Sequence, residues 1–253
     1  MTGISPPEPL LVFDFDGVLV DGMDEYWWAA RTAALQLSPA LALPEQAPPG
    51  FARLRPLIHK GWEMVLMAAE LSRPDLALEN LLADYSRRLP ELLARWGWSD
   101  AELQETLEQV RSRAIRRDLP AWLALHRFYP GVVERLRQLE RDGITWMVLT
   151  TKGQAFAQRL LESAALAPAA VHGHEQGSKP EVLKQLLGHH PRVWFVEDRR
   201  PTLERVRADP GLAAVRCFLV SWGYLGPADG VDLPEGIHWL EPDRFAAPLA
   251  LWP

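Results

Sequence analysis

Hydrophobic positions follow two regimes along this chain. Leu10–Phe13, Thr145–Leu149, Val193–Val196 and Val215–Val220 are short, β-rich apolar runs, which predict strands. Ile237–Leu240 predicts a short edge strand. Helical patterns lie between them. One runs from about Val132 to Asp142, with Gly143 placed to close it as a C-terminal cap, and another covers about Pro180 to Leu187. Apolar strands alternating with helices predict an α/β fold: a Rossmann-like parallel sheet with helices on both faces.

From Asp24 to about Phe128 the periodicity is helical and no strand is read. Ser99 and Glu102 form a capping-box pattern at the head of a helix running toward Arg116, and the prolines of Ser38–Gly50 predict a loop. The first strand therefore precedes a helical stretch, and the rest of the sheet follows it. This order predicts a core of residues 1–22 and 129–253 and an inserted all-helical cap domain at 23–128. Tyr129-Pro130-Gly131 marks the return to the core.

Composition narrows the class. Of 253 residues, 48% are apolar, enough for a sizeable core. A net charge of -6 argues against a general nucleic-acid binder, but it leaves room for an anionic substrate held by a metal and a few cations. The single cysteine, Cys217, sits in an apolar run and reads as a small buried hydrophobe. Met1–Pro9 lacks the pattern of a signal peptide, and no apolar run is long enough to span a bilayer, so a cytoplasmic protein is expected.

The chemistry concentrates after the strands. The first runs into Asp14-Phe15-Asp16-Gly17. Side chains two apart leave a strand on one side, so Asp14 and Asp16 are expected to emerge together, with Phe13 and Phe15 turned into packing. Two carboxylates that close repel unless a cation sits between them or one stays protonated. A hard divalent ion, Mg2+, is the simplest solution, and it frees one carboxylate as nucleophile and the other as acid/base. A polar turn closing a strand is the plainer alternative for this segment.

Thr150, Thr151, Lys152 and Gly153 follow the second strand, and Glu197 and Asp198 follow Val193–Val196. Ser178-Lys179-Pro180 opens a helix between them. In open parallel sheets ligands bind beyond these carboxyl ends. Asp14, Asp198 and Glu197 with one backbone carbonyl suit Mg2+. The Thr150 hydroxyl and nearby backbone N–H groups suit phosphoryl oxygens, and Lys179 suits charge on a transferring group. Taken singly, Thr150 and Glu197-Asp198 read equally as helix caps and Lys179 as a solvated loop lysine.

Together these segments resemble the haloacid dehalogenase-like hydrolase superfamily, in its phosphoglycolate phosphatase and β-phosphoglucomutase-like branch with a helical cap after the first strand. Asp14-Phe15-Asp16-Gly17-Val18 resembles the nucleophile loop, Val148-Leu149-Thr150 the hydroxyl motif, Ser178-Lys179-Pro180 the lysine motif and Phe195-Val196-Glu197-Asp198 the acidic motif. The resemblance implies attack by Asp14 on phosphorus, an aspartyl-phosphate, and Asp16 as acid and then base. It implies Mg2+ held by the Asp14 side chain, the Asp16 carbonyl and Asp198, with Glu197 beside them. Gly17, Thr150, Thr151 and Lys179 would bind the phosphoryl group. The usual acidic motif has a second aspartate four residues on, where this chain has Thr202 after Arg199-Arg200-Pro201.

The expected function is a Mg2+-dependent phosphatase acting on a small phosphorylated metabolite. Alternatives are a sugar phosphomutase, a catalytically silent module binding a phospho-ligand or a protein, and phosphonate cleavage through a Schiff base on Lys60. Arg53, Arg55, His59 and Lys60 are cap cations suited to a second anionic group, with Arg55 and Lys60 taken forward as substrate contacts. Tyr26, Trp27 and Trp28 are expected to pack the hinge or wall the substrate, and His172 and His174 to lie in a loop.

Overall fold

The computed structural model describes residues 8–253. The leaderless pattern read at the N-terminus falls largely on residues 1–7, outside the described residues. The chain forms two compact units: residues up to Asp21 together with Phe128–Pro253, and Gly22–Arg127.

The first unit is built on a six-stranded sheet. Its strands are β1 (Leu10–Phe13), β2 (Trp146–Leu149), β3 (Val171–His172), β4 (Val193–Glu197), β5 (Val215–Val220) and β6 (Ile237–Leu240). All pairings are parallel and the order is β3-β2-β1-β4-β5-β6. Order therefore reverses beside β1, which is where a doubly wound sheet opens a crevice beyond its carboxyl edge. β1 and β4 are paired from Leu10↔Val193 to Phe13↔Val196, so Asp14 and Glu197 leave neighbouring strand ends.

Alternation within each strand covers both sheet faces. Leu10 and Val12 join Val182 and Leu183 of α10 (Lys179–Leu187) and Leu203 and Val206 of α11 (Arg200–Ala208) in one core cluster. On the other face Phe13 packs edge-on against Trp146 and against Phe245 of α12 (Pro242–Ala246). Buried on both sides, these strands are apolar throughout rather than alternating. α8 (Val132–Arg141) ends as its sequence predicts. Gly143 adopts φ +72, and the Gly143 and Ile144 N–H groups donate to Glu140 and Leu139 carbonyls. α9 (Gln154–Ser163) completes the set.

The second unit is helical up to its last residue, Arg127, which begins a two-residue strand with Phe128: α1 (Met23–Leu37), α2 (Pro49–Leu54), α3 (Gly61–Leu71), α4 (Leu78–Ala83), α5 (Tyr85–Trp96), α6 (Asp100–Arg117) and α7 (Leu119–Leu123). Ser99 caps α6, its Oγ accepting from Glu102 N at 3.2 Å. Arg111 of α6 meets Glu25 of α1 in a bidentate ion pair at 2.7 and 2.8 Å, with both side chains buried. No helix of the described residues is long and apolar enough to cross a membrane.

The strand Val171–His172 and the two-residue strand Arg127–Phe128 are absent from the sequence reading. Val171–His172 forms the edge strand β3, and His172 is half-buried on it rather than in a loop; His174 is exposed. Two residues are too short a run to show alternation; pairing with β2 makes the strand. Tyr26 and Trp27 are buried within the helical unit, Trp27 against Phe51 and bonded to the Glu45 carbonyl.

Candidate active site

Asp14 follows β1 directly, and only 6% of its surface is exposed. Lys179, at the first position of α10, places its Nζ 2.8 Å from Asp14 Oδ1 and 2.6 Å from Glu197 Oε2. The contact with Glu197 is an aligned hydrogen bond, whereas Asp14 Oδ1 has charge contact but no aligned donor. Ser178 positions the lysine by capping α10: its N–H and hydroxyl both donate to Glu181 Oε2. Lys179 is therefore a buried residue opening a helix and not a solvated loop lysine.

Electrostatics follow from burial. Desolvation pushes the Asp14 carboxyl up to about 7, the Glu197 charge adds to this, and Lys179 opposes it. Burial also raises Glu197 against the pull of Lys179. Burial works against the Lys179 charge, but Asp14 and Glu197 outweigh it and hold the ammonium above the ordinary lysine range.

Asp198 projects from the end of β4 and is 4% exposed. Its Oδ2 accepts from Tyr224 N at 2.9 Å. Ligand atoms of Asp14, Glu197 and Asp198 all lie within 4.8 Å of one another. Three buried carboxylates against one lysine leave an excess of negative charge that a divalent cation would neutralise, and the unaligned Asp14 oxygen offers it a lone pair. The donor set is all oxygen, which fits Mg2+. Asp14 and Asp198 are the side chains best placed to hold it. Glu197 is already engaged, one oxygen with Lys179 and the other with Arg199 N at 3.2 Å.

Gly17 has no substitute at its position. Its φ is +90, and a Cβ there would stand 1.9 Å from Asp198 Oδ2. Thr150 is buried at the end of β2 and its Oγ1 accepts from Lys152 N at 3.0 Å, so it caps its own turn rather than α9. Thr151 is exposed.

Two contributions escaped the sequence reading. Lys152 is buried, and its Nζ lies 3.1 Å from Asp16 Oδ1, across 136 positions of sequence. A lysine directly after the hydroxyl motif was its only signal. The turn after β5 wraps the loop after β1: Trp222 Nε1 donates to the Val18 carbonyl at 3.0 Å and Tyr224 OH to Asp21 Oδ1 at 2.7 Å. Nothing in the pattern of Ser221–Leu225 announces these contacts. Arg200, in place of the familiar acidic-motif neighbours, pairs with Glu204 at 2.8 Å and fastens the Val231 carbonyl at 2.6 Å. Thr202 is buried in α11.

In the helical unit, Arg53 pairs with Glu79 at 2.7 Å in the open. The Arg55 guanidinium stands 4.9 Å over the Tyr26 ring. Lys60 is exposed, which removes the desolvation a Schiff-base lysine needs. Glu63 fixes the preceding turn, accepting from His59 N, Lys60 N and Tyr85 OH.

A buried carboxylate, a buried lysine and an acidic cluster at the switch point of a doubly wound sheet suit an α/β enzyme. Residues 9–201 match the haloacid dehalogenase-like hydrolase family, and the chain belongs to it; it is a hydrolase. A phosphoglycolate phosphatase of Pseudomonas syringae pv. tomato is 25% identical over 228 residues, covering 85% of this chain and 70% of its own. An N-acetylmuramic acid 6-phosphate phosphatase of Pseudomonas aeruginosa is 25% identical over 239 residues, covering 90% and 86%. The fold is shared with a haloacid dehalogenase-like family hydrolase of Streptococcus pneumoniae (TM-score 0.57, 15% identity, 94% and 96% covered). It is also shared with a hydrolase of Pseudomonas syringae (TM-score 0.56, 17% identity, 93% and 94% covered).

Proposed function

We propose that this protein is a Mg2+-dependent phosphatase that hydrolyses a small phosphate monoester through an aspartyl-phosphate on Asp14. The observation that carries this reading is the buried Asp14 carboxylate, with Lys179 at 2.8 Å and Asp198 and Glu197 beside it. The names of both relatives place a phosphate monoester in their reactions.

In the first step an Asp14 oxygen forms a bond to phosphorus as the ester P–O bond breaks. Asp16, as the acid, gives its proton to the departing alkoxide. In the second step the Asp16 carboxylate takes a proton from water, whose oxygen attacks phosphorus and releases inorganic phosphate and the Asp14 carboxylate. Lys179 and the Thr150 hydroxyl hold phosphoryl oxygens, with Thr151 supplying a backbone N–H group, whereas the Gly17 N–H is taken by the Val20 carbonyl at 2.8 Å. Lys152 positions Asp16, and Glu197 positions Lys179. Mg2+ bound by Asp14, Asp198 and the Asp16 carbonyl would supply neutralising charge to the transferring group. Residues 23–128 serve as the cap, and Arg55 and Lys60 read a second anionic group of the substrate.

The test is phosphate release from a panel of small phosphate esters, with Mg2+ and with EDTA, for the wild type and Asp14→Asn. Release that requires Mg2+ and vanishes in the variant supports hydrolysis. Isomerisation primed by a bisphosphate, with little phosphate released, would replace it with the mutase. An Asp14→Asn protein that retains full activity would sink the mechanism.

A further inference from the structure

Residues 221–225 follow β5 and bond to two separate parts of the site. One is the Asp198 carboxylate at the end of β4: the Tyr224 N–H donates to its Oδ2 at 2.9 Å. The other is the loop after β1. Trp222 Nε1 donates to the Val18 carbonyl at 3.0 Å, and the Tyr224 hydroxyl donates to Asp21 Oδ1 at 2.7 Å. Tyr224 therefore holds both parts, one through its backbone and the other through its side chain.

The approach is too close for a side chain. A Cβ on Gly223 would stand 2.3 Å from Asp198 Cβ, 2.6 Å from the Gly17 carbonyl oxygen and 3.0 Å from Asp198 Oδ2. A Cβ on Gly17 would overlap that same Oδ2 and stand 2.9 Å from the Tyr224 ring. Glycine at both positions lets the two loops close on Asp198. The loop after β1 is also bonded to itself: the Gly17 N–H donates to the Val20 carbonyl at 2.8 Å, and the Leu19 and Val20 N–H groups donate to the Phe15 carbonyl at 2.9 and 3.0 Å. These bonds curl the loop, and the bonds from Trp222 and Tyr224 tie it to the turn that holds Asp198.

We propose, resting on the metal site put forward above, that Trp222-Gly223-Tyr224 is a positioning element of that site. It sets the Asp198 carboxylate and holds residues 14–21 at a fixed spacing from it, so that oxygen ligands following β1 and β4 are arranged before a divalent cation arrives. A carboxylate ordered in advance loses less side-chain freedom on binding. Partners of this outer kind typically contribute about 10- to 100-fold to metal affinity. Tyr224 is thus a positioning residue, acting through Asp198 and Asp21.

Mn2+ takes the same carboxylate and carbonyl oxygens as Mg2+, and its free aqueous ion is counted by electron paramagnetic resonance. The full chain, stripped with EDTA and dialysed, is titrated with Mn2+, and urea unfolding without metal checks the fold of each variant. The wild type should bind the ion and Asp198→Asn should not. Tyr224→Phe removes only the hydroxyl and should weaken binding about 3- to 10-fold, the equivalent of one hydrogen bond. Gly223→Ala should weaken it at least about tenfold. Ser221→Ala removes a bond of the same turn to Glu241 Oε2, at 2.6 Å and outside the site, and should bind as the wild type does. Binding by Tyr224→Phe as tight as that of the wild type, or a loss in Ser221→Ala as large as in Tyr224→Phe, would overturn the inference and leave the metal site standing. A wild type that binds no Mn2+, or an Asp198→Asn variant that binds it as tightly as the wild type, would overturn both.

Discussion

Lys179 Nζ lies 2.6 Å from Glu197 Oε2, a buried pair that joins the start of α10 to the end of β4. The contact fixes the ammonium where it also reaches Asp14. In the proposed reaction Glu197 acts through the lysine, as an outer partner orients a ligand in a metal site. Glu197→Gln keeps the shape and removes the charge. We expect kcat to fall about 10- to 100-fold with KM little changed, measured by steady-state phosphate release. Lys179→Met should cost about 100- to 1,000-fold in kcat, because it removes the cation aimed at the phosphoryl group.

Lys152 and Asp16 form a second cross-strand contact at 3.1 Å. Lys152→Met removes this contact from the Asp16 carboxyl, the acid and base of the proposed reaction. The expected result is a loss of about 10-fold or more in kcat, largest for esters with poor leaving groups that depend on protonation. Equal losses across leaving groups would show that Lys152 does not act through Asp16.

Gly17→Ala should disable the site without dismantling the fold. The added methyl carbon would overlap Asp198 Oδ2, and φ +90 is strained for alanine. We expect at least about 100-fold lower activity from a displaced Asp198. Backbone strain should lower stability by about 1–3 kcal/mol, read from urea unfolding.

Arg111 and Glu25 hold α1 to α6. Arg111→Met leaves Glu25 buried without this partner and should destabilise the protein by about 3–5 kcal/mol, while pairing it with Glu25→Leu should recover most of the loss. Chemical denaturation of the single and double variants measures both.

Burial pushes the Cys217 thiol up to about 12 from an ordinary 9.0, and its sulfur lies in the core, 3.9 Å from the Val215 carbonyl. The folded protein should therefore resist thiol reagents at neutral pH and react once unfolded. The thiol is neutral in both states below its unfolded pKa, so its contribution to stability is intact there. Above it the unfolded chain ionises first, and the contribution is lost as pH rises toward about 12. The stability difference between the wild type and Cys217→Ala should shrink between about pH 9 and about pH 11.

Sequence alone determined the parts that depend on local pattern. Continuous apolar runs showed strands buried on both faces, and their alternation with helices gave the doubly wound core. The change to helical period after Asp24 marked the inserted stretch. Asp14 and Asp16 were legible because a strand end carries residues two apart together, and Thr150, Lys179, Glu197 and Asp198 because each follows a strand or opens a helix at the edge where ligands bind. Tertiary structure decided what depends on which ends meet. Only the pairing of β1 with β4 brings Asp14 to Glu197 and leaves Asp198 against Gly17. Only folding brings Lys152 to Asp16 and Tyr224 to Asp198. A side chain's partner across more than a hundred residues leaves no period in the sequence, because periodicity records which face of an element is buried and not what stands opposite it.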